Sequence, residues 1–126
     1  MKRIAACGIA LLSALVLAPG AASAEQRPAR YILSITDEFA GRSMTTTLAC
    51  NPVGGAHPRA EDACADIAEA GSIKAITSVG GICTMHYRPF TVTVRGHERF
   101  EQTFSNSCLM VQAKRSVFGF WNTAGA

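Results

Sequence analysis

The sequence predicts an α+β fold: an antiparallel sheet with one or two helices packed on it, reinforced by disulfides. Three observations point there. Several short segments alternate apolar and polar residues at period two. One segment carries a helical apolar stripe with start and stop signals at its ends. Four cysteines remain, widely spaced, once an N-terminal leader is set aside.

The leader comes first because it changes the composition. Met1-Lys2-Arg3 is a positive start, an apolar run follows, and Ala22-Ser23-Ala24 is a small-residue cleavage site, the pattern of a secretory signal peptide over residues 1–24. The apolar run is short for a membrane span and no second one follows, so no membrane association is expected after cleavage. Cleavage leaves residues 25–126 as one domain and lowers the formal charge from +3 to +1. With 48% hydrophobic and 17% charged residues, the chain is neither a disordered polyelectrolyte nor a basic nucleic-acid binder.

Residues 25–30 are polar and read as an N-terminal arm. Residues 31–35 are rich in β-formers and form a first strand, followed by turn chemistry from Asp37-Glu38 to Gly41-Arg42. Residues 43–50 form a second, with Met44, Thr46, Leu48 and Cys50 on one face. After a Pro- and Gly-containing loop, Pro58 suits a first helical position and Glu61 and Asp62 suit the first turn. Ala60, Ala63, Cys64, Ile67 and Ala68 make the apolar stripe, and Gly71 ends the helix. Phe90, Val92 and Val94 point inward from a third strand, and residues 99–104 return as its hairpin partner after a turn at Arg95-Gly96-His97-Glu98. Residues 106–114 form a short helix carrying Cys108, and residues 117–121 read as a closing strand.

Cys7 leaves with the leader, and Cys50, Cys64, Cys83 and Cys108 lie 14, 19 and 25 residues apart. These spacings lack the close pairs of a zinc site, so they read as two disulfides in one of three connectivities. No metal or cofactor is expected. The histidines His57, His86 and His97 sit in no catalytic motif, and His57 and His97 read as exposed loop residues. The sequence gives no support to catalysis. A binding role has a specific signal in residues 83–89. Met85 stands among the polar Thr84, His86 and Arg88 and the amphipathic Tyr87, between a cysteine and Pro89. Met85 as core filler is the bland alternative. A segment pinned by a disulfide and stiffened by proline loses little entropy on binding extended in a cleft.

The chain resembles the Streptomyces-type subtilisin inhibitor family of secreted serine-protease inhibitors. The matching residues run in order through the mature chain: Thr47-Leu48-Ala49-Cys50-Asn51-Pro52, Gly54-Gly55, His57-Pro58, Ala63-Cys64, Cys83 with Tyr87 and Pro89, Thr91-Val92-Thr93, Thr103-Phe104-Ser105-Asn106-Ser107-Cys108 and Val117-Phe118. The resemblance implies an antiparallel five-stranded sheet covered by two helices, disulfides Cys50–Cys64 and Cys83–Cys108, and a homodimer. It places the scissile bond at Met85–His86, with Met85 as P1 and His86 as P1′. Ile82, Cys83, Thr84, Tyr87, Arg88 and Pro89 complete the reactive loop, and Asn106 supports it. Two departures matter: Thr84 stands where the best-known member has proline, and Arg88 replaces an acidic residue common before the proline. The implied partners are subtilisin-like serine proteases outside the cell. The alternative is a secreted binding or structural module of the same fold without inhibitory activity. A small hydrolase, a third reading, needs a pocket holding a histidine and a nucleophile.

Export is expected to cut after Ala24, whose small side chain, with that of Ala22, fits the peptidase. Mass spectrometry of the secreted protein then gives a chain beginning at Glu25; a start far from there refutes the leader.

Overall fold

The computed structural model describes residues 27–123; the leader expected over residues 1–24 and its cleavage site lie outside them. Four antiparallel strands form one sheet: β1 (Ala29–Asp37), β2 (Arg42–Cys50), β3 (Phe90–Gly96) and β4 (Phe100–Phe104), in the order β2-β1-β3-β4. Helix α1 (Ala60–Ala70), helix α2 (Ser107–Lys114) and a 3₁₀ segment (Arg115–Thr123) complete the described fold.

Strict alternation assigns the two sheet faces. Tyr31, Leu33 and Ile35 of β1 are buried, and so are Leu48 and Cys50 of β2 and Phe90, Val92 and Val94 of β3. These residues form one core with Ala63 and Ile67 of α1, Met110 of α2 and Val117, Phe118 and Phe120. The other face bears hydroxyls paired across strands: Ser34 with Thr45 at 3.0 Å, Thr36 with Ser43 at 2.9 Å and Thr91 with Thr103 at 2.8 Å. The central strand β1 is longer than expected at both ends. Its register with β2 runs from Ala29 opposite Cys50 to Asp37 opposite Arg42, so the turn residue Asp37 is a strand residue and buried.

Helix α1 starts later than Pro58 suggests. The ring Nδ1 of His57 accepts the Arg59 backbone N–H at 2.9 Å, and this local turn defers the first α-helical bond, Ala63 N–H to Arg59 C=O at 2.9 Å. Gly71 ends the helix in the left-handed region, φ +93°, and its N–H bonds the Ile67 carbonyl. In the preceding loop Gly55 is needed for close approach. Its φ is +92°, and a Cβ there would lie 2.5 Å from the Thr47 carbonyl oxygen. The disulfide Cys50–Cys64 then ties the end of β2 to α1.

The expected fifth strand is the main correction: the sheet has four strands among the described residues, and residues 117–121 lie in the 3₁₀ segment. Val117 and Phe118 are adjacent and both fully buried. A strand sends neighbours to opposite faces, and this sheet has only one covered face. A tight helical turn with a kink at Phe118 lets Val117, Phe118 and Phe120 all enter the core.

His57, expected to be exposed, is buried in this layer. Nε2–H donates to the Val117 carbonyl at 2.9 Å, and the ring meets Phe120 edge-on at 5.5 Å. Both nitrogens are thus committed, as the neutral imidazole requires. Burial pushes its pKa down, the bond to Val117 opposes this, and the Arg59 charge adds to the lowering. The unfolded imidazole therefore takes up a proton before the folded one. The stability due to neutral His57 is complete above about pH 6.5 and is lost as pH falls through the folded pKa, by at most about 1.4 kcal/mol per pH unit. Urea unfolding of the parent and of His57→Gln between pH 7 and 5 checks this: the variant should show a flatter dependence.

Candidate functional site

Between Ile76 and β3 the chain runs without helix or strand and projects from the fold. Ile82 is 100% exposed, Met85 88% and Tyr87 78%, an unusual density of bare apolar side chains for an 8-residue stretch. The segment is nevertheless tied down at both limbs and in the middle.

The middle tie is Asn106, which is 1% exposed. It is the N-cap of α2, its Oδ1 accepting the Leu109 N–H at 2.9 Å. Its Nδ2 donates to the carbonyls of Thr84 and His86, both at 3.1 Å. One side-chain amide thus spans the Met85–His86 peptide bond and leaves the Met85 side chain outside. The helix expected to begin at Asn106 begins one residue later because this residue caps it. Cys83 is bonded to Cys108 in the first turn of α2. Thr84 places its Oγ1 2.9 Å from His86 Nδ1.

The upstream limb rests on two charged side chains. Glu98 in the β3–β4 turn accepts the N–H groups of Ile73 and Lys74, each at 2.8 Å. Lys114, buried at the end of α2, donates to the carbonyls of Ile73 at 3.2 Å, Lys74 at 3.0 Å and Ile76 at 3.2 Å, with its Nζ 5.0 Å from the Phe100 ring centroid. Burial lowers the Lys114 pKa and the Glu98 charge works against that.

The downstream limb is held through Arg88 and Pro89. The Arg88 N–H donates to the Ser105 carbonyl at 2.9 Å, and the Pro89 carbonyl accepts the Glu38 N–H at 3.0 Å. The Arg88 guanidinium forks onto Asp37 Oδ2, from Nη2 at 2.6 Å and Nε at 3.1 Å, and lies 5.4 Å from the Phe39 ring centroid. The hydrogen bond from Arg88 holds the Asp37 carboxyl below the usual carboxylate range despite its burial.

Sequence reasoning, with the resemblance, set Asn106 beside residues 82–89 and implied the two cysteine pairs, and the structure contains these contacts. Sequence reasoning missed Asp37, Glu98 and Lys114, which act from other elements. Asp37 is 51 residues from Arg88, and no local pattern links them. The cavity beside the loop base, about 880 Å³, brings Ser107 and Ser116 near Asp62 and Asp66 but has no histidine in its lining. That cavity does not hold the arrangement the hydrolase reading needs.

The geometry is that of a rigid, exposed peptide presented from a scaffold, and comparison with known proteins names the scaffold. A family model described as subtilisin inhibitor-like matches residues 13–106. The chain belongs to the subtilisin inhibitor-like family. It is 45% identical over 84 residues to subtilisin inhibitor-like protein 1 of Streptomyces cacaoi, covering 59% of this chain and 76% of that protein. It is 36% identical over 124 residues to a subtilisin inhibitor of Streptomyces albogriseolus, covering 87% of this chain and 85% of that protein. The crystal structure of Streptomyces caespitosus sermetstatin in complex with Bacillus licheniformis subtilisin matches in fold, with a TM-score of 0.59 at 24% identity, covering 75% of this chain and 100% of that chain. The family consists of protease inhibitors, not enzymes.

Asn106→Ala removes a helix cap and two loop bonds at once. A stability loss of about 1–3 kcal/mol is expected, checked by denaturant unfolding. The backbone around Met85 should also gain motion in NMR relaxation; unchanged order parameters there would deny the amide its clamping role.

Proposed function

We propose that this chain is a secreted inhibitor of serine endopeptidases, subtilisin-like enzymes first, which binds substrate-like through residues 82–89 with Met85 as P1 and His86 as P1′. The observation that carries the reading is the Asn106 amide bonded to the carbonyls on either side of Met85–His86, with the Met85 side chain 88% exposed. Had Met85 been buried, a module without inhibitory activity would be favoured. Export through the leader puts the protein where such proteases act.

The mechanism follows from restraint. The loop enters the cleft extended, and Met85 fills the primary specificity pocket. Because the segment is already fixed by Cys83–Cys108, Asn106 and the contacts of Arg88, little entropy is lost on binding. If the protease cuts the bond, both new ends stay tethered, Thr84 and His86 to the same amide. The departing amine remains beside the acyl group, and religation at high effective concentration competes with hydrolysis. Water gains little access, so the inhibitor is a poor substrate.

A homodimer is also proposed. Its support is the hydroxyl-bearing sheet face, which also exposes Ile32 at 47% and lies opposite the face covered by the helices. Pairing through that face leaves the loop free. Sedimentation at micromolar concentration should give twice the mature mass, and a single-chain mass counts against the dimer.

Met85 should set which protease is inhibited. A long unbranched apolar side chain suits a large hydrophobic pocket and offers no charge to the aspartate of a trypsin pocket. Met85→Gly should weaken binding to subtilisin by about 2–4 kcal/mol, as expected of a central anchor. Met85→Lys should move the preference toward trypsin. Inhibition constants against both enzymes check this, and parent-like inhibition of subtilisin by Met85→Gly would show that Met85 is not P1.

A further inference from the structure

We propose that Asp37 is a positioning residue for the reactive loop: buried at the end of β1, it fixes Arg88 and thereby the backbone on the His86 side of the Met85–His86 bond. The proposal rests on the reading of that bond as the scissile one.

The two carboxylate oxygens of Asp37 have separate tasks. Oδ1 accepts the N–H groups of Phe39 at 3.0 Å and Ala40 at 3.1 Å, which closes the β1–β2 turn. Oδ2 takes both contacts from Arg88. A wholly buried carboxylate on a short strand end is costly unless each oxygen is satisfied, and here one half of the group serves the turn and the other the loop. The turn in return sets the Phe39 ring under the Arg88 guanidinium carbon and gives the Glu38 N–H to the Pro89 carbonyl. The Arg88 N–H meanwhile reaches Ser105, the neighbour of Asn106.

These contacts place Arg88 at a junction of three pieces of chain. Its side chain is held by β1, its N–H by the segment before α2, and the next residue's carbonyl by the β1–β2 turn. Asn106 already holds the His86 carbonyl, so only Tyr87 separates two fixed points. Without the Asp37–Arg88 contact the His86 side of the loop would hang from the Asn106 amide and two backbone bonds. After cleavage, the new amino terminus at His86 would then drift from the acyl-enzyme more readily. Asp37 therefore acts on the fate of the cut bond, at a distance from the protease. The buried Asp37 supplies the charge opposite to that of Arg88.

The test uses the mature protein with subtilisin in Asp37→Asn, Arg88→Gln and the double variant, reading the inhibition constant and the rate at which chain cut at Met85–His86 accumulates. Asn at 37 keeps an acceptor for the turn but loses the charge. Each single variant should be cut about ten-fold faster and inhibit about ten-fold more weakly, and the double variant should do no worse than the weaker single one, since both remove the same contact. Ala63→Gly, a buried change on the core side of α1 and outside the Asp37–Arg88 contact, controls for lost stability: it should unfold more easily yet be cut at the parental rate. Should Asp37→Asn fail to fold, Arg88→Gln at the surface carries the test. Parental cleavage and inhibition in Arg88→Gln, additive losses in the double variant, or equally fast cleavage of Ala63→Gly would each overturn the proposal. A parent that does not inhibit, or is cut elsewhere, refutes the scissile-bond reading instead; loss of inhibition in Met85→Gly alongside a parental Arg88→Gln refutes only the positioning role.

Discussion

The exposed loop depends above all on one buried side-chain amide. Asn106 is placed by α2, whose first turn it caps, and α2 is placed by Met110 in the core. Its Nδ2 hydrogens are therefore fixed in space before the loop is considered. A loop peptide has too few apolar contacts to hold a single conformation in water. Here the conformation is set by satisfying the two carbonyls either side of Met85 from inside the fold, which leaves the apolar side chain 88% exposed.

The supports around that amide share a chemical logic. Glu98, Lys114 and the Asp37 carboxylate each bond to backbone groups of irregular segments. Irregular backbone close to a core needs partners for its N–H and C=O groups, because an unpaired buried group costs about 1–3 kcal/mol. A charged side chain bonds more strongly than a neutral one and serves several groups at once, as Lys114 does for three carbonyls. Two of these groups, Asp37 and Lys114, have their titration shifted by this setting. Burial and pairing act on Asp37 and Lys114 because both lie inside and both are fully bonded.

Much of the fold is legible along the chain. The alternation in β2 and β3, the stripe and Gly71 stop of α1, and the hairpin of β3 with β4 are local patterns, and the structure contains each of them. Residues 117–121 show where local reading fails. Their apolar character announces burial, but whether a strand or a 3₁₀ turn achieves it depends on how many faces of the sheet are covered. His57 fails for a related reason: a histidine before a proline looks like a surface residue until Val117 and Phe120, about sixty positions later, close over it.

The sequence by itself determined the α+β class, the family, the loop of residues 82–89 and the cysteines available for pairing, because each is written in neighbouring residue types, in periodicity or in an ordered set of matches. Tertiary structure decided the rest. It set the number of strands, buried His57, and brought Asp37 to Arg88 and Lys114 and Glu98 to the base of the loop. Those contacts join residues roughly 25 to 50 positions apart. Chain connectivity places no constraint on which distant charge meets which backbone group, and only the packing of β1, α2 and the hairpin against one core brings them within hydrogen-bonding reach.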